Sequence, residues 1–130
     1  MISYKNVSVA TAVISIALCL VLMFTPTELF RLFSVEANES AIFMGRRMAI
    51  LFLGLALIAG FTSDAEHSDL RQALCMALSV MLFALAFLGM FEFLRVRAGA
   101  GIWLAILTEI GLGAAYLMIW IKGAQSASPK

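Results

Sequence analysis

The chain has 130 residues, of which 63% are hydrophobic and 13% charged, with a net charge of +1 and a mean hydropathy of +1.02. A soluble domain is about 45–50% apolar and about 25% charged, and so short a chain has too little interior to hide the excess from water. A water-soluble fold is therefore excluded, and with no basic patch nucleic acid is not an expected partner.

The first apolar run, 7–24, carries no charge. Lys5 precedes it in the manner of a signal peptide, but the run exceeds the usual core of about 7–15 residues. Bulky Leu18 ahead of Cys19 also spoils a lipoprotein cleavage site, so a retained first span is expected. Pro26 ends the run, since proline cannot continue a helix but suits the first turn of a new one. Thr25 and Glu28 have the spacing of a capping box. Segment 26–36 is too short to cross a bilayer; with Leu29, Phe30, Leu32 and Phe33 to bury and Glu28, Arg31 and Glu36 to solvate, it predicts a short helix. That helix either lies in the membrane interface or folds over the bundle mouth.

A second span is expected over 42–61, followed by a polar connection from Thr62 to Arg71 that holds the single histidine, His67. One imidazole does not make a metal or haem site, so His67 reads as a loop residue. The third span is expected over 73–94, a basic turn over 95–101, and the fourth span over 102–121. The polar tail 122–130 is expected to be disordered. Tyr4, Trp103 and Trp120 flank spans where amphipathic rings favour the headgroup level. The predicted fold class is all-α: one integral membrane domain over 1–130, a four-helix bundle with a short interfacial helix between the first two spans. Both termini then share one face, called here the terminus side. Lys5, Arg71, Lys122 and Lys130 on that side face Arg31, Arg95 and Arg97 on the other, which orients the termini to the cytoplasm when Arg46 and Arg47 count as intramembrane.

The charges inside the spans are the candidate site. A crossing helix needs about 20 largely apolar residues, so the second span must begin near Ile42 and carry Arg46 and Arg47 with it. At 1.5 Å per residue the two arginines lie about 6–8 Å below the far surface, Glu92 about 3 Å and Glu109 about 10 Å. All four occupy one half of the membrane. An unpaired charge there costs at least about 2.5–3.5 kcal/mol on insertion scales, and the arginine fork matches a carboxylate. The expectation is an Arg46/Arg47/Glu92/Glu109 cluster, with Glu109 paired to one arginine. Two alternatives stand beside it: the arginines are surface anchors with Glu92 interfacial, and Glu109 is a neutral acid bonded to a neighbouring helix. Small residues at Gly45, Ala49, Ala56 and Gly60, and at Gly111, Gly113 and Ala115, mark close helix approaches, within the bundle or in a homodimer. Cys19 and Cys75 fall at different depths and read as buried hydrophobes, not a disulfide.

No Cys-x-x-Cys, phosphate loop, nucleophile elbow or metal-ligand set is present, so neither an enzyme nor a cofactor is expected. Pro26 after the first span, Gly45-Arg46-Arg47 leading to Leu53-Gly54 in the second, and a glutamate in the fourth together resemble the small four-helix bacterial membrane proteins of the DoxX-like group. Within that group the chain is most similar to an uncharacterised family of about the same length. The resemblance implies a multi-pass protein of the bacterial inner membrane. DoxX itself is associated with a thiosulfate:quinone oxidoreductase complex, but no quinone- or sulfur-handling residue here carries that role over. Two functions follow from the charges. One is a cluster that holds the bundle together and binds a small anionic ligand or lipid headgroup. The other is a small proton-coupled transporter working through Glu109. A subunit docking into a larger membrane complex is the third.

Overall fold

A computed structural model describes residues 3–95 and 97–126, with the side chain of Ser126 outside that set. The described chain forms five helices: α1 (Tyr4–Phe24), α2 (Pro26–Leu32), α3 (Glu39–Phe61), α4 (Asp69–Leu94) and α5 (Ile102–Ser126). All but α2 are long and apolar enough to cross a bilayer. The protein is an all-helical, multi-pass membrane protein, a four-helix bundle with one short helix between its first two spans.

Three spans start earlier than the apolar runs do, and capping is the reason. Ser3, Asn38 and Ser68 each accept a backbone N–H three residues on, from Asn6 at 3.2 Å, Ala41 at 2.9 Å and Arg71 at 3.2 Å. Hydropathy marks where a helix enters lipid; caps mark where its hydrogen bonding begins. α5 continues to Ser126, so most of the predicted tail is helix, and 127–130 lie outside the described residues. The expected capping box does not form. Thr25, at φ −135°, turns its hydroxyl back to the Val21 carbonyl at 3.3 Å, and Glu28 pairs with Arg31 at 3.1 Å.

α1 buries a single stripe, Tyr4, Val7/Ser8, Thr11/Ala12, Ser15, Cys19 and Leu22. The residues that α3 buries are all small, Gly45, Ala49, Ala56 and Ala59, and Phe52 beside them packs against Cys19 and Leu22. Small side chains let two backbones approach without any hydrophobic drive from water, and α1 and α3 run together over a long seam. α4 and α5 make the second such pair. The two pairs meet along a shorter seam between α1 and α5. On the opposite flank, between α3 and α4, an apolar groove of about 190 Å³ remains, with Met48, Phe52, Met81 and Leu85 among its walls. Large apolar side chains such as Phe61, Phe87 and Leu107 point outward, as a lipid solvent requires.

The short helix α2 folds over the bundle at the end remote from the termini. The Phe30 ring sits so close to Gly45 that a Cβ there would lie 2.8 Å from its tip. Ser34, at φ 55°, then reverses the chain, which is why the helix stops at Leu32 and not at residue 36. The Phe33 carbonyl accepts the Gly99 N–H at 2.6 Å, tying α2 to the α4–α5 turn. Gly101 meets the Leu32 carbonyl without room for a side chain. α2 thus bridges the two helix pairs at that end. Cys19 and Cys75 are both buried free thiols.

Candidate functional site

On α5 the inward positions are Ile106, Gly113, Tyr116 and Ile119, and Glu109 shares their stripe at intervals of three and four. Its half-buried carboxylate lines three cavities at once. The first, about 400 Å³, lies under α2, with Leu22, Phe30, Met44, Met48 and Phe52 among its walls. The second, about 460 Å³, opens toward the α4–α5 turn and also holds Glu92 and Arg97. The third, about 70 Å³, lies deeper in the bundle, where Thr11, Ser15 and Thr108 line it with Glu109 and otherwise apolar residues. Among the described residues Glu109 has neither an ion pair nor a side-chain hydrogen bond. Among the described residues it is the only charged group lining the first and third cavities.

The expected charge cluster does not assemble. Arg46 and Arg47 are exposed, and no ion pair joins either one to Glu92 or Glu109 among the described residues. The physical reason is helical phase. Gly45 and Ala49 must face α1 for the helices to touch, and at roughly 100° per residue that turns 46 and 47 to the flank and the back. Arg47 lies over the Phe43 ring at 5.8 Å, also on the exposed side. α3 begins at Glu39, and its 23 residues exceed a bilayer core of about 30 Å by less than one turn, so the exposed arginines are left to snorkel toward the headgroups. Glu92 pairs instead with Arg97, at 3.9 Å, at the rim of the second cavity. Of the four predicted residues, Glu92 and Glu109 share a cavity and the two arginines stand apart.

A second set of polar residues lies toward the termini. Tyr116, fully buried, donates to Thr11 Oγ1 at 3.0 Å and approaches Ser8 Oγ at 3.5 Å. Tyr4 packs edge-on against Tyr116 with ring centroids 6.5 Å apart, and its hydroxyl reaches Thr62 Oγ1 at 3.0 Å. The Arg71 guanidinium covers the Tyr4 ring at 5.1 Å, and Ser79 donates to the Gly113 carbonyl at 3.0 Å. Tyr4 is therefore a core residue, not the headgroup anchor expected of it. Reading the first span as merely uncharged missed this set. Its signal was present: Ser8, Thr11 and Ser15, spaced three and four apart, lie on one helical face.

Among the described residues no three metal-ligating side chains converge. What the geometry offers is a carboxylate in a largely apolar hollow of more than one chamber. A free carboxylate there gains most from a ligand that brings a positive charge on an apolar body. Fold and site together define a class: a four-span helical membrane protein with a carboxylate-centred cavity. No family model, curated protein or solved structure matches the chain.

Proposed function

We propose that the protein is a small, non-enzymatic carrier that takes an amphipathic cation from the membrane phase onto Glu109 and exchanges it against a proton. One observation carries this reading: Glu109 lines all three cavities and is without an ion pair or side-chain hydrogen bond among the described residues. A carboxylate placed for architecture would be satisfied by its neighbours, because an unmet charge in a spanning helix is costly. The anionic-ligand alternative needs cations in the hollow. With Arg46 and Arg47 exposed, Arg97 alone remains there, and it is already opposite Glu92. A DoxX-like kinship and a place in a bacterial inner membrane belong to the same proposal, supported by Pro26, the Gly45-Arg46-Arg47 run and the glutamate of the last span.

The test is binding of dodecylammonium to the full chain in lipid nanodiscs. Binding should weaken by about tenfold or more in Glu109→Gln, the loss of roughly 1.4 kcal/mol of charge pairing. It should also weaken as pH falls, because proton and ligand compete for one carboxylate. Equal affinity in the variant, or tighter binding of dodecyl sulfate, would return the site to the anionic-ligand reading.

A further inference from the structure

Resting on the proposal that Glu109 is the coupling site, we propose that its proton travels toward Thr11 through the small cavity that Glu109 shares with three hydroxyls. Proton and ligand then reach one carboxylate from opposite directions. The two large cavities lie toward α2 and the α4–α5 turn, and the third lies toward Thr11. Its volume of about 70 Å³ is room for about two waters, and a water is held where it finds two to four polar partners. The walls are otherwise apolar, Ile14, Leu18, Phe52 and Leu55 among them, so those partners are Thr11, Ser15, Thr108 and Glu109. Ser15 is buried yet makes no hydrogen bond to the described residues, so its hydroxyl is free to bind water. Thr11 and Thr108 spend their protons on the Val7 and Leu104 carbonyls, at 2.9 and 2.8 Å, which leaves their oxygens as acceptors.

The line continues beyond that cavity. A helical side chain leans over the turn before it, so the Tyr116 ring reaches back toward Glu109, and its hydroxyl donates to Thr11 at 3.0 Å. Ser8 follows at 3.5 Å. Glu109, cavity water, Thr11, Tyr116 and Ser8 form one file of exchangeable O–H groups, capped toward the terminus side by Tyr4 and its bond to Thr62. In transfer, the Thr11 hydroxyl must first swing its proton from the Val7 carbonyl to the cavity water, and then each oxygen takes a proton on a lone pair as it releases its own to the next. The last water gives one to Glu109, an O–H bond forms on the carboxylate, and the proton is replaced from the solvent beyond Tyr4. The charged groups facing Glu109 are Glu92 of α4 and Arg97 of the following turn. α1, α2 and α3 bring no charge into any of the three cavities.

Infrared difference spectroscopy of the full chain in nanodiscs tests the path. The protonated Glu109 carbonyl band, assigned by its loss in Glu109→Gln, is followed as H₂O is replaced by D₂O. Thr11→Val with Ser15→Ala should slow the isotope shift about tenfold, as one added barrier of about 1.4 kcal/mol would, and Thr11→Ser, which keeps the hydroxyl, should exchange like the parent. Parent-like exchange in the double variant overturns the path. If that variant does not fold, Ser15→Ala alone decides, since Ser15 holds no protein hydrogen bond; an unchanged rate there is equally fatal. Dodecylammonium binding is read separately, so a failed ligand proposal and a failed proton path give different results.

Discussion

The two ends of the bundle solve the same problem in opposite ways. At the terminus end, polar groups inside the membrane are paired: Tyr116 with Thr11, Tyr4 with Thr62, and Ser79 with a backbone carbonyl. Cys75, Leu78, Leu82 and Ile119 close around them. At the α2 end, the most deeply set charge of the chain stands in open volume without a partner among the described residues. Membrane helices gain nothing from hydrophobic association in lipid, so packing and satisfied polar groups decide where a bundle is tight. The terminus end has close packing and most of its polar groups satisfied, Arg71 Nε and Gln72 Oε1 being buried there without a hydrogen bond among the described residues. The other end has a packed cluster of Cys19, Leu22 and Ala49 but leaves its carboxylate unmet, a cost in stability that the proposed function would explain.

The largest expected effect breaks the tight end. Tyr116 is fully buried at the centre of the core, and Tyr116→Ala removes a ring that the surrounding helices cannot refill. A loss of about 3–5 kcal/mol is expected, as for other buried aromatics truncated to alanine, read as a fall in unfolding midpoint in detergent. Tyr116→Phe isolates the hydroxyl and should cost only about 0.6–1 kcal/mol, since hydrogen bonds between membrane helices are individually modest.

A smaller change of the opposite sign sharpens the contrast. Glu109→Met keeps the length of the side chain and removes an unpaired charge from an apolar hollow. It should raise stability by about 1 kcal/mol, in the range of function-costing substitutions at active sites, while abolishing dodecylammonium binding. A fall in midpoint would show that the carboxylate has a structural partner after all. Gly45→Ala acts at the α2 end itself. Its Cβ would meet the Phe30 ring at 2.8 Å, so α2 must shift by some tenths of an ångström to admit it. A loss of about 1 kcal/mol from overpacking is expected, together with easier thiol labelling of a Leu29→Cys reporter on the same helix.

Much of the fold was legible because lipid imposes one simple rule. Every backbone group must bond within its own segment, so long apolar runs are helices, and the polar and basic breaks at 62–71 and 95–101 predict the connections between them, although α4 already begins at Asp69. The bounds were less legible, because Ser3, Asn38 and Ser68 lie in polar sequence that hydropathy ignores. The expected depths set Glu92 and Glu109 near each other along the bundle, and the two line one cavity. Direction around the helix did not follow from depth. The small residues at 45, 49 and 56 held the phase that turns Arg46 and Arg47 away, but a stripe of small residues and a pair of charges compete for the same face, and packing prevailed. The hydroxyls of α1 were missed for a related reason: Ser and Thr are apolar enough to vanish in a hydropathy count yet polar enough to build a network.

The smallest effect is the one that separates the observed arrangement from a charge cluster. If Arg47 and Glu109 formed a pair, Arg47→Ala would leave a carboxylate without its counter-charge and cost several kcal/mol, and the double variant with Glu109→Gln would recover part of that loss. With Arg47 exposed over Phe43 and no ion pair to Glu109 among the described residues, Arg47→Ala should change stability by less than about 0.5 kcal/mol. The double variant should equal the sum of the singles within about 0.3–0.5 kcal/mol, as independent sites do. A coupling clearly above that limit would mean that the arginine reaches round α3 in the bilayer, and the open hollow would then be half of a closed network.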